Sequence, residues 1–256
     1  MPLFVVLFSF CIDRISIYLF SLKIIGSIVD IMKKKFAKNG SVRMEAIYPK
    51  IISFLEKELC QDTSGHSLDH ALRVYQNARM ILNVEGGNER IILISALVHD
   101  VIDPKLFKQV KKQEEKLLLF LKESGCSQEE LDSIQYIIKN ISFKGGNSTK
   151  LTSLEAQIVQ DADRLDAIGA IGIGRTFMYG GAKGIKMYDE QLSIMDFENE
   201  EAYRNHKGTV INHFYEKLFK LKDLMNTPAA RKFADKRHQF MEKFIEQFLD
   251  EWNGES

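Results

Sequence analysis

The largely apolar run from Ile91 to Val98 ends directly in His99 and Asp100. Such a run predicts a buried helix, and an imidazole and a carboxylate at its end are costly to bury unless each has a partner. A divalent metal ion is a partner that serves both groups. Two other segments carry candidates for further ligands, namely residues 65–74, which contain His66 and His70, and residues 160–167, which contain Asp161, Asp163 and Asp166. The pattern therefore predicts separate helices that meet around one metal ion.

Nearly every segment from Met44 onward has the spacing of an amphipathic helix. Apolar residues recur at helical intervals, and β-branched residues nowhere alternate with polar ones long enough to predict strands. Helix-terminal signals are frequent, and they comprise Gly86-Gly87, Asn88, Ser127 with Glu130, Thr152 with Glu155, and Thr227 with Pro228. The sequence predicts an all-α bundle of roughly eight to ten helices with the metal site between them.

Composition narrows the classes of function. The 256 residues carry 35 basic and 35 acidic side chains, so no nucleic-acid partner and no polyacidic partner is expected. Cys11, Cys60 and Cys126 are too far apart in the sequence to indicate a disulfide framework or a cysteine-rich metal site. That usage favours a reducing compartment, so we expect a cytoplasmic protein.

Residues 1–43 differ from the rest of the chain. They contain two apolar stretches that are interrupted by charged residues, namely Asp13, Arg14, Lys23 and Asp30. A membrane span needs about 20 consecutive apolar residues, and no positive charge precedes the first stretch as a signal peptide requires. We predict that residues 1–43 are an extension upstream of a start at Met44 and that residues 44–256 form one domain. A weak membrane anchor is the second interpretation and a signal peptide the last.

The residues alone leave the ligand set open at two points. His66 and His70 stand four apart, which puts them on one helix face, but the glutamate of a His-Glu-x-x-His zinc motif is missing. The final carboxylate is either Asp161 or Asp163.

Two loop segments with paired glycines carry Lys144 and Lys183. A phosphate cradle is one interpretation of these loops, and a helix C-cap with a solvated turn is the favoured one.

The order of His70, then His99-Asp100, then an aspartate resembles the HD-domain metal-dependent phosphohydrolases. Further segments are similar to a bacterial subgroup of small soluble HD hydrolases that includes nucleoside triphosphate pyrophosphatases. These segments are His99-Asp100-Val101-Ile102-Asp103-Pro104-Lys105, Ile141-Ser142-Phe143-Lys144-Gly145-Gly146, residues 161–172 and Phe214-Tyr215-Glu216-Lys217-Leu218. The similarity covers about residues 45–252.

The resemblance implies a particular ligand set. It assigns the metal to His70, His99, Asp100 and Asp163. It implies that Asp161 supports these ligands without binding the ion itself. It also implies that Arg164 faces a phosphate and is oriented by Asp166. Two imidazoles and two carboxylates leave open positions on a six-coordinate ion. We expect one divalent transition metal, with Mn²⁺ preferred over Fe²⁺, Co²⁺, Ni²⁺ and Zn²⁺.

Phosphate chemistry at this ion requires additional groups. His66 and Asp103 are the candidates for a general acid or base, with Arg164 as a further catalytic candidate. Cationic side chains are expected to neutralise the phosphate charge, and the candidates are Lys105, Lys144, Arg164, Arg175 and Lys183.

The implied substrate is a small-molecule nucleotide. The first expectation is hydrolysis of nucleoside triphosphates to monophosphate and pyrophosphate. A nucleotidase or an alarmone or cyclic-nucleotide hydrolase at the same site is the alternative among enzymes. The alternative that is not an enzyme is a nucleotide-binding regulator without turnover. The sequence carries no signature of the base, the sugar or the oligomeric state.

Overall fold

A computed structural model describes residues 42–59, 68–104, 106–141, 151–196, 206 and 208–255. The chain divides into two compact units, Met1–Pro49 and Lys50–Ser256. Of the first unit, only residues 42–49 are described, and they begin a helix. The predicted extension thus lies almost entirely outside the described residues and stays a prediction.

The described residues contain α-helices and no β-strand. The helices are α1 (Val42–Glu58), α2 (Leu68–Glu85), α3 (Glu89–Val98), α4 (Val110–Glu123), α5 (Gln128–Asn140), α6 (Leu154–Asp166), α7 (Gly169–Lys183), α8 (Val210–His213) and α9 (Pro228–Asn253). Helix α8 continues as a π-helical turn, Phe214–Leu218, and a 3₁₀ turn, Phe219–Leu221. The predicted all-α fold is confirmed. No helix in the described ranges combines the length and apolarity that crossing a membrane requires.

Helices α2, α3 and α6 form the centre of the Lys50–Ser256 unit. Every residue of α3 from Ile91 to Val98 is buried, as the apolar run predicts. Helix α2 packs against α3 and α6, and α3 also packs against α6. The Asn77 side chain on α2 donates to the carbonyl oxygen of Ala162 on α6 at 3.0 Å. This packing brings the start of α2 and the end of α3 close to the last turns of α6.

Most of the predicted helix ends are confirmed. Asn88 accepts a hydrogen bond from the Ile91 amide at the start of α3, and Ser127 and Glu130 form a reciprocal capping box at the start of α5. Thr227 caps α9, with Pro228 in the first turn. The box predicted at Thr152 is wrong by one residue, because Ser153 caps α6. Glu155 instead accepts from the Asn88 amide, which ties the starts of α3 and α6 together.

Helix α9 covers α7 and the outer side of α6. It packs against both helices and against α2. Phe177 of α7 contacts Phe244 and Phe248 of α9, with ring centroids 5.9 and 6.1 Å apart. Phe244 and Phe248 therefore lie on the side of α9 that faces α7, whereas Phe240 of the same helix is exposed.

Candidate metal centre

Four side chains from three parts of the bundle converge at the crossing of α2, α3 and α6. His70 lies in the first turn of α2, His99 and Asp100 directly follow α3, and Asp163 lies one turn before the end of α6. Both imidazoles are buried, whereas the side chains of Asp100 and Asp163 are 14% and 33% exposed. The carboxylates therefore lie on the side of the cluster that faces solvent.

The ligand atoms of these residues lie close to one another. His70 Nε2 is 3.1 Å from His99 Nε2, 3.4 Å from Asp100 Oδ2 and 3.5 Å from Asp163 Oδ1. His99 Nε2 is 3.4 Å from Asp100 Oδ1 and 3.8 Å from Asp163 Oδ1. Among the described residues, the group whose ligand atoms all lie within 4.8 Å of one another comprises His70, His99 and Asp100. Asp163 joins this group through its distances to the two imidazoles. Such separations suit atoms that share one central cation.

The opposite ring nitrogen of each imidazole is already engaged. His70 Nδ1 lies 2.7 Å from Asp166 Oδ2, and His99 Nδ1 lies 2.9 Å from the carbonyl oxygen of Ala96. Both acceptors require a proton on Nδ1, so the Nε2 atoms point into the cluster, where they are the ring atoms that can bind a cation. The donor set therefore fits a divalent cation, held by two imidazole nitrogens and carboxylate oxygens.

The electrostatics of the cluster favour positive charge. Burial alone would lower the pKa of His70, but its contacts with Asp163 and Asp166 and the charge of Asp100 raise that pKa to about 9. Partial burial would raise the pKa of Asp163, yet the contact with His70 and the charge of His99 lower it to about 2. In the metal-free protein, a proton on His70 supplies positive charge at the cluster. A bound divalent ion would supply it as well.

Asp166 lies behind His70 and collects several donors. Its side chain is 2% exposed, and it accepts from Arg73 Nε at 2.7 Å and from Arg73 Nη2 at 3.1 Å. Arg175 Nη1 of α7 donates to the same carboxylate at 2.6 Å. Burial would raise the pKa of Asp166, but hydrogen bonds from His70 and Arg73 and the charge of Arg175 hold it well below its usual range.

The sequence analysis expected Asp166 to orient Arg164, but these two residues lie on opposite faces of α6. At about 100° per residue, Asp163 and Asp166 share one face, and Asp161 and Arg164 share the opposite one. Asp161 accepts from the Asn226 amide and side chain and from the Thr227 amide and hydroxyl, each at 2.8 Å. It thus holds the start of α9, and Asp163 is the aspartate beside the imidazoles.

Arg164 is not brought to the cluster. Its guanidinium is buried, donates to the carbonyl oxygen of Leu224 and lies 4.0 Å from Asp161. Asp166 does not orient it, because Asp166 binds Arg73 and Arg175 on the other face. The physical reason is the helical repeat, which turns consecutive residues about 100° apart.

The remaining predicted residues have different positions. Arg175 reaches the cluster through Asp166, whereas Lys183 lies two turns further along α7, about 12 Å away along the axis, with its ammonium over the Tyr179 ring. Asp103 lies in the turn after α3, where its amide donates to the Asp100 carbonyl at 3.0 Å. His66, Lys105 and Lys144 lie outside the described residues.

Arg73 is a site residue that the sequence analysis missed. It follows His70 by three residues on α2, which places it on the same helix face. This spacing of three residues is visible in the sequence, but only the tertiary fold brings Asp166 to both side chains.

The bundle and the cluster together define the class of protein. The sequence model of the HD domain matches residues 67–168, which contain all four converging side chains. YpgQ of Bacillus subtilis (strain 168) is 38% identical over 200 residues, which make up 77% of this chain and 90% of YpgQ. The chain therefore belongs to the HD-domain family.

Solved structures of relatives show the same fold. The crystal structure of a Lactobacillus plantarum protein is 40% identical with a TM-score of 0.71, covering 84% of this chain and 99% of that one. An HD-superfamily hydrolase from Bacillus thuringiensis is 44% identical with a TM-score of 0.63, covering 83% and 99%. YpgQ in complex with ADP is 34% identical with a TM-score of 0.65, covering 81% and 99%. This chain thus has the fold of HD-superfamily hydrolases.

Proposed function

We propose that this protein is a metal-dependent phosphohydrolase that acts on nucleotides and holds one divalent metal with His70, His99, Asp100 and Asp163. The observation that carries the proposal is the paired anchoring of Nδ1 in both imidazoles, at 2.7 and 2.9 Å. This anchoring turns the Nε2 atom of each ring toward the carboxylates of Asp100 and Asp163. The mixture of nitrogen and oxygen ligands favours Mn²⁺, with Fe²⁺, Co²⁺, Ni²⁺ and Zn²⁺ as alternatives.

When bound, a divalent ion lowers the pKa of a coordinated water and neutralises charge on a phosphate. The chain itself supplies further positive charge. The Arg175 guanidinium is held by Asp166 beside His70, where it adds to the attraction for an anionic substrate. Lys105 and Lys144 are proposed to contact phosphate oxygens as well. Arg164 and Lys183 are left out of this role because of their positions.

A general acid or base is also required, and Asp103 is the candidate within the described residues. It follows Asp100 by three residues, in a turn that is closed by the hydrogen bond from its amide to the Asp100 carbonyl oxygen. A carboxylate at that position would accept a proton from the attacking water and return it to the leaving group. His66 is the alternative for this step.

The substrate class is inferred from a relative and from charge. The relative YpgQ has been crystallised in complex with ADP, which supports nucleotide binding. A metal ion together with Arg175, Lys105 and Lys144 offers more positive charge than one monophosphate ester requires. We therefore infer that a triphosphate group lies across the site and is hydrolysed to nucleoside monophosphate and pyrophosphate.

The test is a panel of nucleoside tri-, di- and monophosphates, alarmones and cyclic nucleotides with the chelator-treated full chain and added Mn²⁺. Chromatography of the products is expected to show monophosphate and pyrophosphate in equal amounts, and a His99→Ala variant should form neither. Efficient hydrolysis of monophosphates with triphosphates untouched would indicate a nucleotidase. Tight nucleotide binding without product under every metal would indicate a regulator.

A further inference from the structure

Asp166 joins three helices at a point directly behind the metal centre. Its carboxylate lies at the end of α6 and contacts His70 and Arg73 of α2 and Arg175 of α7. One oxygen, Oδ2, is 2.7 Å from His70 Nδ1 and 2.6 Å from Arg175 Nη1, while Oδ1 is 2.7 Å from Arg73 Nε. Both carboxylate oxygens are therefore used, and the plane of the carboxylate is fixed.

We propose that Asp166 is a positioning residue of the metal centre, which orients the His70 imidazole and makes its Nε2 a stronger ligand. The inference rests on the proposed function, because it assumes that His70 holds a metal ion. A carboxylate that accepts from the far nitrogen of a ligating imidazole fixes the tautomer and the ring orientation, and it increases the electron density at the near nitrogen.

The two imidazoles differ in how they are held. His99 Nδ1 donates to the Ala96 carbonyl within the last turn of its own helix, so α3 orients this ring without help from elsewhere. His70 depends on a side chain that lies 96 residues away in the sequence. A backbone carbonyl is neutral, whereas a carboxylate is charged, so the effect on ligand strength is expected to be larger at His70.

The arginines explain how a carboxylate can remain ionised in this buried position. An isolated charge with 2% exposure would be strongly disfavoured. Arg73 meets both oxygens in a bidentate pair, at 2.7 and 3.1 Å, and Arg175 adds a second cation. Arg73 and Arg175 are thus assigned the role of holding Asp166 charged and in one orientation, rather than acting on the metal directly.

The decisive variant is Asp166→Asn, which keeps the size of the side chain and removes its charge. Titration calorimetry of the chelator-treated full chain with Mn²⁺ should show a dissociation constant about 10- to 100-fold above that of the parent. The matched control is Asp161→Asn, a second buried aspartate on the same helix that contacts Asn226 and Thr227 instead. This control should lose thermal stability and keep the parental dissociation constant.

A second variant covers the case in which Asp166→Asn does not fold. In Arg73→Gln, the His70–Asp166 contact remains but the carboxylate loses its bidentate partner. Removal of a nearby positive charge would by itself strengthen Mn²⁺ binding, whereas loss of orientation at Asp166 weakens it. We expect weaker binding by several-fold, with helical content unchanged by circular dichroism.

The outcomes separate this inference from the proposed function. If the parent binds Mn²⁺ and a folded Asp166→Asn variant binds it equally well, the positioning role is overturned and the metal site stands. Tighter binding by Arg73→Gln would also overturn it. If the parent binds no divalent metal at all, the proposed function fails together with the inference.

Discussion

At the scale of single residues, the aspartates of α6 have distinct roles although they are close in the sequence. Asp163 Oδ1 is 3.5 Å from His70 Nε2, Asp166 contacts the back of the same ring, and Asp161 accepts hydrogen bonds from the residues at the start of α9. A change of one carboxylate to an amide therefore tests a different property at each position.

Asp163→Asn should abolish stable metal binding. The substitution removes one anionic ligand from a set of four and leaves an amide, which is a much weaker donor to a divalent cation. Metal analysis after gel filtration should find the ion in the parent and only traces in the variant, with activity lost in parallel. Retention of the ion by Asp163→Asn would reverse the assignment of the fourth ligand.

Asp161→Asn should instead lower stability. The carboxylate accepts four hydrogen bonds from residues 226 and 227, and an amide offers one acceptor and a donor that faces backbone N–H groups. We expect a loss of about 1–3 kcal/mol in the free energy of unfolding. Thermal denaturation followed by circular dichroism measures this loss, and an unchanged melting temperature would contradict the role of Asp161 in holding the start of α9.

At the scale of elements, the junction between α6 and α7 controls how Arg175 reaches Asp166. Helix α6 ends at Asp166, and α7 begins at Gly169 with a φ of 76°. This left-handed conformation reverses the chain at little cost only for glycine. An added Cβ at Gly169 would also lie 3.0 Å from the Cβ and Cγ of Arg237 on α9. The turn therefore positions one of the two arginines that hold Asp166.

Gly169→Ala should destabilise the protein by about 1–2 kcal/mol from the backbone conformation alone, and the close approach of Arg237 adds to this loss. The matched control is Gly174→Ala on the same helix, where no atom lies within 4 Å of the added Cβ and φ is not positive. That control should be stabilised by about 0.5–1 kcal/mol, because alanine is the better helix former. Chemical denaturation of both variants gives the comparison, and equal effects would contradict the strained turn.

At the scale of the whole molecule, a metal ion that binds three helices should stabilise the fold. The proposed ligands lie on α2, directly after α3 and on α6, so unfolding of the bundle destroys the site. At a Mn²⁺ concentration of about 100 times the dissociation constant, the gain is about 2.7 kcal/mol. The melting temperature of the parent should therefore rise on addition of Mn²⁺ and fall with chelator, whereas His99→Ala should respond to neither.

A chain that starts at Met44 should retain the properties of the full chain. Every residue of the candidate site lies well beyond this position, and the HD-domain match begins at residue 67. The shortened protein should fold, bind Mn²⁺ with the parental dissociation constant and hydrolyse the same nucleotides. Aggregation of the shortened protein would instead assign a structural role to residues 1–43.

The sequence alone determined the helical architecture and the central pair His99-Asp100, and its resemblance to a known family selected His70 and Asp163 as the residues that converge on this pair. Helix periodicity and caps depend on contacts within a few residues, such as Ser127 with Glu130 and Thr227 with Ala230, so they can be predicted locally. The misplaced cap, Thr152 instead of Ser153, reflects two adjacent hydroxyl residues, either of which can cap a helix. The His, His-Asp and Asp pattern likewise stands in the sequence without reference to the fold.

Only the tertiary structure decided which side chains support the cluster. Helical geometry puts Arg164 with Asp161 on one face of α6, and Asp166 with Asp163 on the other, but the partners of each face come from distant helices. The contact between His70 and Asp166 spans 96 residues, and Arg175 reaches the same carboxylate only because the chain turns back at Gly169. Local periodicity predicts which residues share a face, whereas the packing of α2, α7 and α9 decides what that face contacts.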